Sequence, residues 1–158
     1  EKLFGVYEHD IYNDRPVLLR GFDEKFWMPH SRHTTVSLQQ IKENRDLELL
    51  AGSDPTGAAI VRSLDNKHIF VFGHAEYDWD TLNREYERDI NKGMDIAVPE
   101  NYFPNDDPKQ RPIVRWRSVS TLLFTNWLNY YVYQETPYII EQIQKMKFER
   151  DKNLGAYI

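Results

Sequence analysis

Residues 58–74 limit the fold more than any other part of the chain: AAIVRSL, then Asp65, Asn66 and Lys67, then HIFVFGH. β-Branched and aromatic residues stand on both sides of a polar turn whose Asp-Asn pair tolerates left-handed backbone geometry, so the stretch reads as a β-hairpin. The second arm is apolar almost throughout, which predicts a strand covered on both faces with helices packed on it. A helix follows at once. Asp78 can cap free amides, Trp79 to Lys92 form the body, and Gly93 supplies a permissive end. Leu82, Tyr86 and Ile90 recur every four residues as one apolar stripe.

The flanking sequence extends this α/β pattern. RPVLLRGF (Arg15 to Phe22) and DLELLAGS (Asp46 to Ser53) read as short strands bounded by Asp, Gly and Pro. SVSTLLFTNWLNYYVYQE (Ser118 to Glu135) offers serine caps and apolar residues nearly all round, which predicts a deeply packed helix. Thr136 and Pro137 then form an N-cap and first-turn pair for a second helix striped by Ile139, Ile140, Ile143 and Met146. VPENYFPNDDPKQRP, with four prolines, predicts an irregular surface loop. There is no internal repeat and no low-complexity linker, so one domain is expected.

Composition narrows the function. The 158 residues are 41% hydrophobic, enough for a real core. A formal charge of −5 argues against a general nucleic-acid binder, which shows a basic face. No apolar run approaches the ~20 residues that cross a bilayer, and EKLFGVYEHD lacks the basic and apolar regions of a signal peptide, so a cytoplasmic protein is expected. The absence of cysteine excludes a disulfide, a thiolate metal site and a cysteine nucleophile within these residues. The first residue is Glu1 rather than Met, which suggests a piece of a longer polypeptide.

The hairpin's second arm ends in Gly73, His74 and, two positions later, Glu76. On an extended backbone such residues face one side with Cα atoms ~6.6 Å apart. An imidazole there can take a thiol or hydroxyl proton while a carboxylate on its other nitrogen fixes the tautomer. A capped strand end with a solvated glutamate fits the same pattern. PHSRH brings His30, Ser31, Arg32 and His33 together after an aromatic pair. Zinc on His30 and His33 lacks further ligands at recognisable spacing, so these read as polar loop residues and no metal site is expected. Ser31 has no nucleophile-elbow glycines around it and reads as a hydrogen-bonding residue. Arg88 lies off the apolar stripe beside Glu85 and Asp89 and reads as exposed. RWR (Arg115 to Arg117) reads as structural stacking.

EKLFGVYEH, PHSR, GHAEYD, NYFPNDDP and LLFTNWLNYYVYQETPY together resemble the C-terminal half of the homoserine O-acyltransferase family, the homoserine O-succinyltransferases and related O-acetyltransferases of bacterial methionine biosynthesis. The resemblance runs from Glu1 to about Tyr138, and the Trp- and Tyr-rich string is its most specific part. One departure is Ala75, where the family motif has proline. The resemblance implies a flavodoxin-like α/β fold related to class I glutamine amidotransferases, with residues 1–158 as the C-terminal part of one catalytic domain. It implies a Cys-His-Glu triad whose cysteine lies in the N-terminal half, is acylated by acyl-CoA and passes the acyl group to the homoserine hydroxyl. By motif match His74 is the base and Glu76 its orienter, while Lys2, Ser31 and Arg88 fall at substrate-contacting positions. It further implies L-homoserine and succinyl-CoA or acetyl-CoA as substrates, no resident cofactor, a homodimer, and donor specificity set by a residue before Glu1. A nucleophile-free binding module of the same fold, and a glutamine amidotransferase sharing the triad, are the alternatives.

Overall fold

A computed structural model describes residues 2–13 and 16–134. Five antiparallel strands form one sheet in the order β2-β1-β3-β4-β5: β1 Leu3–Ile11, β2 Lys25–Arg32, β3 Leu47–Ser53, β4 Gly57–Ser63 and β5 Ile69–Val71. Among the described residues three α-helices accompany it, α1 Leu38–Glu43, α2 Thr81–Asn91 and α3 Arg117–Trp127, the last continuing as a π-helical turn over Leu128–Val132. The architecture is mixed α/β, as the sequence pattern predicts.

The hairpin forms between β4 and β5, with Asn66 in the left-handed region at φ 62°. β3 forms where DLELLAGS predicts it. Other expectations are corrected. RPVLLRGF holds a 3-10 turn at Val17–Leu19 rather than a strand, closed by Leu19 N–H on Pro16 O and Arg20 N–H on Val17 O, with Leu18 and Leu19 both buried. β5 has only three residues and pairs with β4 alone among the described elements. Its Phe70 and Val71 are accordingly exposed, not covered on both faces. α3 is likewise not deeply packed: Leu123 and Asn126 turn inward while Phe124, Trp127 and Leu128 are exposed. Its N-cap position is Trp116, not a serine. In α2, Ile90 leaves the apolar stripe for solvent, and the N-cap is Asp80 rather than Asp78. The Pro-rich segment is irregular, but Tyr102 and Phe103 anchor it in the interior. The helical run that starts at α3 ends at Val132, short of the expected Glu135, which lies outside the described residues together with the second helix expected after Thr136.

β1 and β2, unforeseen as strands, decide where the site lies. Their register pairs Phe4 with Ser31, Gly5 with His30 and Val6 with Pro29. Paired residues share a face, so Phe4, Val6 and Ser31 point one way while His30 points the other with Tyr7 and His9. The first face packs on α2 and the Pro-rich segment through Phe4, Val6, Leu82, Tyr102, Phe103 and Trp116. On the second side Leu18, Phe26, Met28, Leu50, Ile60 and Leu123 form a separate core.

Candidate functional site

Where β5 ends, the chain turns sharply over Gly73. A methyl group on Gly73 would stand 2.6 Å from Met28 Cγ and 3.0 Å from His30 Nε2, so any side chain here would force these buried residues of β2 to shift. The next amide, His74 N–H, donates to Pro29 O at 2.7 Å. Tyr77 N–H donates back to His74 O at 3.3 Å and closes a turn. From α3 and the residue before it, Ser120 Oγ donates to Ala75 O and Trp116 Nε1 donates to Tyr77 O at 2.9 Å. Ala75 is itself buried in the core, so the departure from proline places a small apolar side chain where no chemistry is required.

His74 and Glu76 meet on this turn: His74 Nδ1 lies 2.8 Å from Glu76 Oε1. The sequence predicts the proximity but not its cause, because the two residues sit in a turn, not on an extended strand. The His74 ring stacks on Tyr77 with centroids 4.2 Å apart and planes 13° from parallel. Its Nε2 makes no hydrogen bond among the described residues. A carboxylate on Nδ1 sets the tautomer whose Nε2 accepts a proton.

Ser31, Lys2 and α2 build the neighbouring cluster. Ser31 Oγ donates to Glu85 Oε2 at 2.5 Å, and Tyr77 Oη donates to Glu85 Oε1 at 2.7 Å. Lys2 Nζ lies 3.6 Å from Glu85 Oε2 and 3.3 Å from Asp89 Oδ2. Arg88 directs Nε and Nη2 to Asp89 Oδ1, each at 2.7 Å, while about half of its side chain stays exposed. The hydrogen bond from Arg88 is the main force holding the Asp89 carboxyl down at about 2, helped by Lys2. Burial, then the bond to Glu85, pushes the Tyr77 hydroxyl up, so it acts as a neutral donor. Two cations, Lys2 and Arg88, and two carboxylates, Glu85 and Asp89, thus balance in one cluster that Tyr77 ties to the His74 ring.

All five residues singled out from the sequence lie in one neighbourhood. Glu85, Asp89 and Tyr77 were not singled out, although Glu85, Arg88 and Asp89 recur at i, i+3 and i+4 on one helical face. His30 and His33, weighed as a metal pair, part company. His33 is exposed, whereas His30 is a buried strand residue whose Nε2 lies 2.9 Å from His9 Nε2. Arg32 Nε donates to His30 Nδ1 at 3.3 Å, so His30 donates through Nε2 to His9, whose Nδ1 faces Thr56 Oγ1 at 3.4 Å. Arg115 stacks over Trp27 at 4.9 Å and Trp116 is core, the structural role expected of RWR. Among the described residues no helix is long and apolar enough to cross a membrane.

The turn thus sets an imidazole with a carboxylate on its Nδ1 next to Tyr77, whose hydroxyl joins a charge-balanced cluster on α2. The family profile described as homoserine O-succinyltransferase matches residues 1–138. A homoserine O-acetyltransferase of Bacillus cytotoxicus is 58% identical over 140 residues, covering 89% of this chain and 46% of the relative. One from Clostridium acetobutylicum is 58% identical over 138 residues, covering 87% and 46%, and one from Petrotoga mobilis is 50% identical over 145, covering 92% and 47%. The chain belongs to the homoserine O-succinyltransferase family. It spans about half the length of the curated relatives it matches.

Proposed function

We propose that the complete protein transfers an acyl group from acyl-CoA to the hydroxyl of L-homoserine through an acyl-cysteine, the first committed step of methionine biosynthesis, with this chain supplying the base and the amino-acid pocket. The observation that carries the reading is the His74 Nδ1–Glu76 Oε1 contact at 2.8 Å, beside a charge-balanced cluster in a chain of this family. The cysteine belongs to the other half of the protein. In the first step its sulfur attacks the thioester carbonyl, His74 Nε2 takes the thiol proton and returns it to the departing CoA thiolate. In the second, the homoserine hydroxyl attacks the acyl-cysteine, His74 takes the hydroxyl proton and the cysteine sulfur leaves with it. Glu76 holds the ring and stabilises the imidazolium formed in both steps.

Arg88, oriented by Asp89, takes the homoserine carboxylate, and Glu85, set by Ser31 and Lys2, takes its ammonium. The relatives' names favour acetyl over succinyl as the group transferred. In this reading the whole protein has a flavodoxin-like fold related to class I glutamine amidotransferases, with these residues as the C-terminal part of one catalytic domain, and is a cytoplasmic homodimer without a resident cofactor. The absence of cysteine from the chain favours one second reading, a nucleophile-free module that binds a metabolite. Intact mass spectrometry of the complete protein separates the two. Acyl-CoA should add one acyl group, and homoserine should remove it as O-acylhomoserine. A protein that never gains the group contradicts the transferase reading.

A further inference from the structure

Tyr77 touches both the proposed base and the carboxylate proposed to hold the amino-acid ammonium. Its ring lies flat against His74, with centroids 4.2 Å apart and planes 13° from parallel. Its hydroxyl donates to Glu85 Oε1 at 2.7 Å, while the other Glu85 oxygen accepts from Ser31 at 2.5 Å. The tyrosine is itself fixed at both ends of its backbone, its amide on His74 O at 3.3 Å and its carbonyl under Trp116 Nε1 at 2.9 Å. A side chain so held cannot rotate without breaking either the stack or the bond.

We infer that Tyr77 is a positioning residue that sets the His74 ring and the Glu85 carboxylate in one fixed relation, so that the hydroxyl of an amino-acid acceptor anchored by its ammonium falls at the base. The inference rests on the reading of His74 as base and of Glu85 as ammonium ligand. The two ends of Tyr77 then have separable jobs. Glu76 restrains the imidazole in its own plane through Nδ1, and the tyrosine face restrains it out of plane. Together they leave Nε2 a single direction, needed in both half-reactions. The hydroxyl matters only where the acceptor binds. Without it Glu85 keeps Ser31 on one oxygen but is free to swing about that bond, and the ammonium loses a preset partner.

Two variants of the complete enzyme divide these roles. Tyr77→Phe keeps the stack and removes the bond: the homoserine KM should rise about tenfold, the scale of one hydrogen bond to a charged group, while cysteine acylation by acyl-CoA stays within about twofold. Tyr77→Leu removes both: acylation, followed by rapid-quench mass spectrometry and normalised to the folded fraction, should itself slow about fivefold. A purely structural tyrosine would reduce the amount of folded enzyme and leave KM and per-molecule acylation alone in both variants. His74→Ala is the control. If it acylates normally, the reading of the site falls and this inference with it. If His74→Ala is inactive while Tyr77→Phe leaves the homoserine KM unchanged, the reading of the site stands and the role given to Tyr77 is overturned. Tyr77→Phe is isosteric, so the test survives even if Tyr77→Leu does not fold.

Discussion

Acid should weaken this fold through the two buried imidazoles behind the site. His9 and His30 have no solvent exposure and face one another Nε2 to Nε2 at 2.9 Å. Burial lowers His9 from 6.5 to about 4, with Arg32 adding to the effect and Asp10 opposing it. Burial lowers His30 further, to about 2, with His9, Arg32 and His74 acting in the same direction. Both folded-state values lie below the unfolded one, so as pH falls through 6.5 the unfolded chain takes up protons that the folded chain refuses. Stability from this source is whole above that pH and is lost on the way down to the folded values. Each histidine contributes a slope that starts at about half of 1.4 kcal/mol per pH unit at pH 6.5 and approaches the full value near pH 5, so the pair removes about 3 kcal/mol over that range, a large share of the 5–15 kcal/mol typical of a domain. The perturbation is the double variant His9→Gln, His30→Gln, which keeps amide hydrogen bonding but cannot titrate in this range. Urea unfolding of the complete protein, followed by tryptophan fluorescence from pH 7.5 to 5, should give a stability curve shallower than wild type by about 2 kcal/mol per pH unit near pH 6. Parallel curves would refute the reasoning.

Gly73→Ala should destabilise the complete protein by about 1–3 kcal/mol through overpacking against Met28 and His30, and Met28→Ala should recover part of that loss in thermal melting; strictly additive losses would contradict the close approach. Arg88→Lys should raise the homoserine KM while sparing acylation by acyl-CoA, because lysine keeps the charge but cannot both hold Asp89 along one edge and present a fork to a carboxylate; an unchanged KM returns Arg88 to a solvated helix face. Residues 1–158 expressed alone should self-associate, since Phe70, Val71, Phe124 and Trp127 line an open groove of about 450 Å³ beside the β5 edge; a monodisperse fragment that melts cooperatively in light scattering and calorimetry would count against it.

The hairpin was legible because its signal is local: β-branched arms and an Asp-Asn turn carry their own geometry. β1 and β2 were not. LFGVYEHDI holds a glycine and three charged or imidazole side chains, and KFWMPHSR holds a proline, features that argue against strands when neighbours are unknown. Gly5 is tolerated because Glu100 packs directly against it, leaving no room for a Cβ, and that contact joins residues about 95 positions apart, out of reach of any local sequence signal. His30 read as a polar loop residue because the sequence could not show that it is a buried strand residue with His9 as its hydrogen-bond partner. The apolar residues of β5 and α3 predicted burial throughout, yet Phe70, Val71, Phe124 and Trp127 are exposed while Leu123 alone is deeply buried. At the site, the motif resemblance supplied Lys2, Ser31, His74, Glu76 and Arg88, whereas Glu85 and Tyr77 gain meaning only when the register of β1 on β2 aims Ser31 at α2.

Cysteine acylation by a His74→Ala variant tests the central assignment most directly. Mixed with acyl-CoA in single turnover and normalised to the folded fraction, the complete enzyme carrying His74→Ala should scarcely acylate, because the thiol proton has no acceptor at Nε2. Glu76→Gln should fold and bind but lose much of the rate, and the double variant should be hardly worse than His74→Ala alone, since an orienter without its base has nothing to orient. Near-normal acylation by His74→Ala, with a stability loss of about 1 kcal/mol as its main effect, would instead make the pair a capped strand end and contradict the account.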